Sequence, residues 1–376
     1  MRTFLACLLC ALLALPPAAL AQPAPQAPAG TARAWLLLDH ATTRPLASLN
    51  PDGRIEPASL TKLMTAYLAF SALKQGTLKA EQTVKVSENA WKAQGSRMFI
   101  EPNRPVTVDE LLRGMIVQSG NDATLALAEA IAGSEEAFVR KMNHEAARLG
   151  LAGTHFANAT GLPDPRHHST ARDLGRLTSA LIRDFPDRYP IYSLKEYAYN
   201  GITQPNRNRL LWLDPTVDGV KTGHTETAGY CLIASSVRGR RLIAVVLGAA
   251  SDAARGQEAL DLLNFGFHAF DAVRLYNGGQ AISELKVFKG GQGTVKAGFL
   301  ENFVLSLPRG AAGKLKAQLV SQQPLLAPVQ KGQRIATLKL SIGDDPLDEF
   351  PVVALEAVPV AGIFGRAWDS LLLWFR

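Results

Sequence analysis

The chain of 376 residues is 47% hydrophobic and 19% charged, which excludes a disordered or fibrous protein and suffices for two or three domains with apolar cores. Lys and Arg outnumber Asp and Glu by 40 to 33, a net charge of +7 without a long single-sign run; this fits an anionic surface or polymer as partner without identifying one. No zinc-ligand spacing, RNP-like aromatic strip or basic helix supports nucleic-acid binding, and no stretch after the leader resembles a transmembrane span.

Residues 1–21 have the form of a secretory signal peptide, with Arg2 as the positive region, an apolar run over 4–15 and Ala19-Leu20-Ala21 before Gln22 as the cleavage signal. Cleavage removes Cys7 and Cys10 and leaves Cys231 as the only thiol. An exported chain of this kind must be stabilised by packing and not by an internal disulfide. Residues 22–30 form a Pro/Ala linker. The fold then opens with a buried strand over 34–39, a turn at Asn50-Pro51-Asp52-Gly53, and a helix over 61–74 carrying Leu63, Met64, Tyr67, Leu68 and Leu73. Helical spacing continues over 108–131 and 135–149, and again over 170–185 with Thr170 as N-cap. Residues 229–237 and 242–249, joined by a basic turn, read as an antiparallel hairpin, with a helix over 255–273 packed on it.

From Tyr276 the texture changes to short β-like segments, 281–289, 299–307, 315–320, 333–342 and 352–357, the number and length of a small β-sandwich. The last segment, 359–376, is amphipathic. At about 100° per residue, Ile363, Phe364, Ala367, Trp368, Leu371, Leu372, Trp374 and Phe375 share one half, opposite Arg366, Asp369, Ser370 and Arg376, with Leu373 as the exception. Eighteen residues with three charges suit lying in a membrane interface better than crossing it, with Trp368 and Trp374 at interfacial depth. The alternative is a helix docked on the β-domain.

Three short motifs carry chemistry. Ser59-Leu60-Thr61-Lys62 opens the first helix, so Ser59 and Lys62 lie one turn apart on one face. A lysine whose pKa is lowered by burial and neighbouring cations can take a serine proton, although alone the tetrapeptide also fits an N-cap followed by a surface lysine. Ser119-Gly120-Asn121 falls between two helical segments; the serine could relay a proton and the asparagine could hold a peptide group. Lys221-Thr222-Gly223-His224 reads as an edge strand that could receive an extended peptide and its carboxylate. Elsewhere, His167 and His168 read as a solvated loop pair, His224 as an edge-strand residue and not the base of a Ser-His-Asp triad, and Cys231 as a buried, inert thiol.

Taken in this order, the motifs resemble the SxxK, SDN and KTG set of the serine penicillin-recognising enzymes, with Gly120 where that set has Asp. The chain is more closely similar to the D-alanyl-D-alanine carboxypeptidase family of low-molecular-mass penicillin-binding proteins. The resemblance extends through Gln118-Ser119-Gly120-Asn121-Asp122-Ala123, residues 169–174, Asn206-Arg207-Asn208 and residues 217–225. It implies an α/β (α+β) penicillin-binding/β-lactamase-like catalytic domain over 31–275, an antiparallel sheet flanked by helices. An all-β sandwich domain over 276–358 and a membrane-anchoring helix over 359–376 follow. It also implies Ser59 as nucleophile, Lys62 as its base, Ser119 as proton relay and Lys221 as a substrate-binding cation. Asn121, Thr222, Gly223 and Arg207 would hold the peptide and its terminal carboxylate, and the NH groups of Ser59 and His224 would form the oxyanion hole.

The expected partners are a peptidoglycan stem peptide ending in D-Ala-D-Ala, β-lactams as covalent inhibitors, and the outer face of the cytoplasmic membrane; no metal or other cofactor is expected. A DD-endopeptidase would use the same residues. A class A β-lactamase needs a loop carboxylate where residues 156–163 read FANATGLP, and a non-enzymatic wall-binding module would not need all of these side chains.

Overall fold

The computed structural model describes residues 26–321 and 323–374. The signal-like segment 1–21 and the terminal residues Phe375 and Arg376 lie outside the described residues.

A five-stranded antiparallel sheet forms the centre of the first domain. Its strands are β1 (Ala34–Asp39), β2 (Pro45–Leu49), β3 (Val217–Thr225), β4 (Gly229–Val237) and β5 (Arg241–Ala249), in the order β2-β1-β5-β4-β3. All six residues of β1 are buried, because side chains alternate between two covered faces. Leu36, Leu38, Ile243 and Val245 enter a core shared with the helices on one side, while Trp35, Leu37, Ala244 and Val246 enter a second core with Leu262 and Leu263 on the other. This two-sided burial explains the unbroken apolar run that marked β1 in the sequence.

The longer helices of this domain are α1 (Lys62–Lys74), α2 (Val108–Val117), α3 (Asn121–Ala132), α4 (Glu135–Arg148), α5 (Ala171–Asp184) and α6 (Asp252–Ala269). Their starts follow from local chemistry. Thr107 and Glu110 form a capping box on α2, and Thr170 accepts from Asp173 N at the start of α5, as its sequence position suggests. The helix expected over 255–273 is displaced at both ends. Ser251 caps it, so it begins at Asp252, and it stops at Ala269 because Phe270–Tyr276 (β6) instead pairs antiparallel with a strand of the second domain.

That second domain is all-β. Besides β6 it contains β7 (Ala281–Phe288), β8 (Thr294–Gly298), β9 (Phe303–Pro308), β10 (Leu315–Ser321), β11 (Leu325–Leu326), β12 (Arg334–Ile342) and β13 (Asp345–Ala354). The β6-β9 ribbon and a six-stranded sheet enclose Leu285, Val295, Leu305, Leu307, Ile335 and Val352. Strands β8 and β11 lie outside the expected segments, the one expected over 299–307 begins only at Phe303, and the one expected over 352–357 falls at the end of β13. The domains are tied by Arg44 Nη1 donating to Ser306 O at 3.0 Å and by Ser306 Oγ donating to the Asp39 carboxylate.

Helix α7 (Ile363–Trp374) closes the described chain. Residues 359–361 run beside the 289–291 turn, with Gly291 N donating to Pro359 O and Ala361 N to Lys289 O, both at 2.8 Å. The Asp369 carboxylate accepts from Lys289 N. Asp369 and Leu373, one turn apart, are half-buried, whereas Phe364 is 92% exposed and Trp368 64%. Leu373, the exception on the helical wheel, therefore shares the less exposed side with Asp369. Among the described residues no helix is long and apolar enough to cross a membrane.

Candidate active site

Ser59 sits in a single 3-10 turn, Ala58–Thr61, that leads into α1, with Lys62 as the first α-helical residue. The turn returns the two side chains to one side: Lys62 Nζ lies 3.1 Å from Ser59 Oγ and donates to Thr160 O at 2.7 Å. Lys62 is 2% exposed. Burial, reinforced by the positive field of Arg207 and opposed by Asp122, pushes its pKa down to about 7. A lysine in this condition is neutral in a useful fraction of molecules near neutral pH and can accept the serine proton.

The second motif joins α2 to α3. Ser119 has a left-handed φ of 67°, and its buried Oγ has no hydrogen-bond partner among the described residues. Asn121 Nδ2 donates to Gln94 O at 2.6 Å, while its buried Oδ1 is unpartnered. The fully buried Asp122 carboxylate accepts from Met98 N at 2.9 Å, Phe99 N at 2.8 Å and Ile100 N at 3.2 Å, pinning that segment over the start of α3. Gly120 has a physical reason here. A Cβ on it would stand 3.1 Å from Met98 N and 2.9 Å from Asp122 Oδ1, so a side chain such as the aspartate of the SDN pattern would have to push against the clamp.

The third motif lies on β3, an edge strand as expected. Lys221 is buried and donates to Thr222 O at 3.0 Å; burial first, then Lys62, Arg207 and Arg255, hold its pKa well below the ordinary lysine range. A Cβ on Gly223 would meet Pro57 O at 3.0 Å and Ser59 N at 3.1 Å, so glycine lets the strand pass against the serine's own main chain. His224 is exposed and stacks on Tyr230 at 4.1 Å. Arg207 is exposed between two buried asparagines. Asn208 Nδ2 donates to Gly219 O and Asn206 Nδ2 to Leu194 O, both at 2.9 Å, which fixes the arginine's backbone beside the cleft that it lines with Gln118 and Arg255.

Three contributors were not found in the sequence. Arg255, buried on α6, donates from Nη1 to Gly223 O at 2.9 Å and Cys231 O at 3.2 Å and pairs with Asp252, so it braces the edge strand. Thr160 provides a carbonyl to Lys62; the 156–163 loop thus reaches the site with main chain where a class A β-lactamase needs a carboxylate. His167 corrects the expectation of a solvated pair. It is 2% exposed, its Nδ1 accepts from Ala157 N at 3.3 Å, and its Nε2 lies 2.9 Å from Thr61 Oγ1. This partner pattern assigns the proton to Nε2, and burial drives the pKa down to about 4. Its neutral ring thus holds the turn that carries Ser59. Cys231 is fully buried, and burial pushes its pKa up to about 11, as expected of an inert thiol.

A partly accessible serine beside a buried lysine of lowered pKa, between an edge strand and a serine-bearing helix junction, is the arrangement of a serine acyl-transfer enzyme. The family described as D-alanyl-D-alanine carboxypeptidase matches residues 21–251, and that described as penicillin-binding protein 5, C-terminal domain, matches residues 270–360. The D-alanyl-D-alanine carboxypeptidase DacC of Escherichia coli (strain K12) is 42% identical over 370 residues, 96% of this chain and 92% of that protein. Penicillin binding protein 5 from Haemophilus influenzae has a crystal structure that aligns with a TM-score of 0.81 at 40% identity, over 89% of this chain and 99% of that one. Penicillin-Binding Protein D2 from Listeria monocytogenes, in its ampicillin-bound form, aligns with a TM-score of 0.60 at 30% identity, over 64% of this chain and 99% of that one. The chain belongs to the D-alanyl-D-alanine carboxypeptidase family.

Proposed function

We propose that the protein is a serine-type carboxypeptidase that removes the terminal D-alanine from peptidoglycan stem peptides through an acyl-enzyme on Ser59. The observation that carries this reading is Lys62 Nζ at 3.1 Å from Ser59 Oγ, with its pKa near 7. Neutral Lys62 takes the hydroxyl proton as Oγ attacks the carbonyl of the penultimate D-alanine, and the NH groups of Ser59 and His224 stabilise the oxyanion. The C–N bond breaks as Ser119 relays a proton to the leaving amine, releasing D-alanine. Water then attacks the ester with the Lys62 and Ser119 groups acting in reverse. Thr222, Lys221 and Arg207 receive the terminal carboxylate, Asn121 holds the peptide, and Gly223 lets it approach β3.

A β-lactam offers the same site a reactive amide and a carboxylate, so it acylates Ser59. With a carbonyl and no carboxylate from the 156–163 loop at Lys62, hydrolysis of that adduct is slow. Intact-mass measurement should show a penicillin adduct on the wild type and none on Ser59→Ala. Released D-alanine, measured from a pentapeptide ending in D-Ala-D-Ala with and without penicillin, tests the peptidase reading; no release overturns it.

The signal-like leader, the exposed apolar side of α7 and the tether of residues 359–361 support an exported protein held on the outer, periplasmic face of the cytoplasmic membrane, with α7 lying in the interface. A chain ending at Val358 should leave the membrane fraction yet keep activity on small peptides. Equal membrane association of the two forms refutes the anchor.

A further inference from the structure

Thr222, Arg207 and Arg255 line a cavity of about 200 Å³ whose walls do not include Ser59, Lys62 or Ser119. Leu210, Leu232 and Leu260 line it too. Its α6 wall presents Ala253, Gly256 and Leu260, spaced three and four residues apart and so on one helix face. Glycine is a poor helix former, and a Cβ on Gly256 would find nothing within 4 Å. Neither a turn nor a close neighbour requires glycine there; its absent side chain leaves cavity space. Asp252 is committed to Arg255 and lies 3.8 Å from Arg209, so the lip carries paired charges over an apolar floor.

The cavity is smaller than the ~300–1,000 Å³ of sites that enclose a drug-sized ligand, which suits a side chain and not a second molecule. On the carboxypeptidase reading, on which this inference rests, the substrate's terminal carboxylate binds at Thr222 and Arg207, both at the cavity wall. A D-alanine methyl group placed there would leave most of the space to water, at roughly 30 Å³ per molecule. We propose that the cavity is the side-chain pocket for the C-terminal residue, and that the enzyme also hydrolyses stem peptides ending in D-residues whose aliphatic side chains are longer than methyl. The bond cleaved and the acyl-enzyme formed are the same as with D-alanine; only the released amino acid differs.

The test compares kcat/KM for release of the C-terminal residue from N-acetylated peptides ending in D-Ala-D-Ala and in D-Ala-D-norleucine. For the wild type, the norleucine-to-alanine ratio should be about 0.1 or higher, since a misfit of one methylene alone costs roughly 10- to 200-fold. Gly256→Ala and Gly256→Leu should lower this ratio stepwise, the leucine by about tenfold or more. Leu260→Phe, filling the cavity from the same helix face, gives the same reading should Gly256→Leu not fold. D-alanine release without D-norleucine release by the wild type, or a ratio indifferent to side-chain size at these positions, overturns the pocket. Release of neither residue overturns the carboxypeptidase reading itself.

Discussion

Gly223 and Ser59 approach so closely that a Cβ on the glycine would stand 3.1 Å from the serine's backbone nitrogen, with Pro57 O at 3.0 Å and the Ala58 Cβ at 3.2 Å on the same side. None of these atoms can rotate away. The distance between the edge strand and the nucleophile is therefore set by the missing side chain.

Gly223→Ala should push β3 and the Ser59 turn apart by a few tenths of an ångström. Displacements on the ångström scale cost on the order of 10²-fold in oriented reactions, so acylation by penicillin should slow by about tenfold or more while circular dichroism stays native. A rate within about threefold of wild type contradicts the role given to this approach.

Lys62 makes a pH-dependent base. Acylation should rise with pH through about 7 and then level off, because only the neutral amine accepts the Ser59 proton. Lys62→Ala should lower the rate by about 10²- to 10⁴-fold. A rate profile without an inflection near neutrality in the wild type argues against Lys62 as the base.

The same residue should leave a mark on stability. Its folded pKa of about 7 lies below the ordinary 10.5, so between these pH values the unfolded chain binds the extra proton and stability rises with pH. Lys221, displaced in the same direction, adds to this slope. Lys62→Met should flatten the gain in denaturation midpoint between pH 7 and 9 without abolishing it, and an unchanged slope would show that Lys62 is not held neutral.

His167 acts at lower pH. Its folded pKa of about 4 is below the ordinary 6.5, so the stability it contributes is present above pH 6.5 and is lost as pH falls toward 4. His40, also lowered to about 4 chiefly by burial, works in the same direction. His167→Asn should therefore show a shallower fall in urea midpoint between pH 6.5 and 4.5 than the wild type. Equal slopes would contradict a buried neutral imidazole against Thr61.

Gly161 has a φ of 86°, and a Cβ there would overlap Ala58 O at 1.8 Å. Gly161→Ala should displace the loop that offers Thr160 O to Lys62. The left-handed backbone alone costs a non-glycine residue about 1–3 kcal/mol, and the contact adds to it. The variant should melt lower and acylate more slowly; wild-type values for both would remove the loop from the site's support.

The features legible in the sequence depend on near neighbours. Ser59 and Lys62 meet because three residues span one helical turn, Thr170 caps α5 through an NH three residues on, and β1, β4 and β5 declare themselves by apolar runs covered on both faces. The remaining features depend on residues far apart along the chain. Lys62 finds Thr160 O 98 residues on, Thr61 finds His167 106 residues on, and Arg255 braces Gly223 from 32 residues away. Likewise 270–273 reads as the end of a helix but belongs to a strand, because Phe303–Pro308 offers Phe270–Tyr276 a partner. Backbone propensity and side-chain period act over a few residues and are written in the local sequence. A buried amine, imidazole or guanidinium takes its pKa and its hydrogen bonds from whichever groups packing brings to it, and that depends on the whole chain folding.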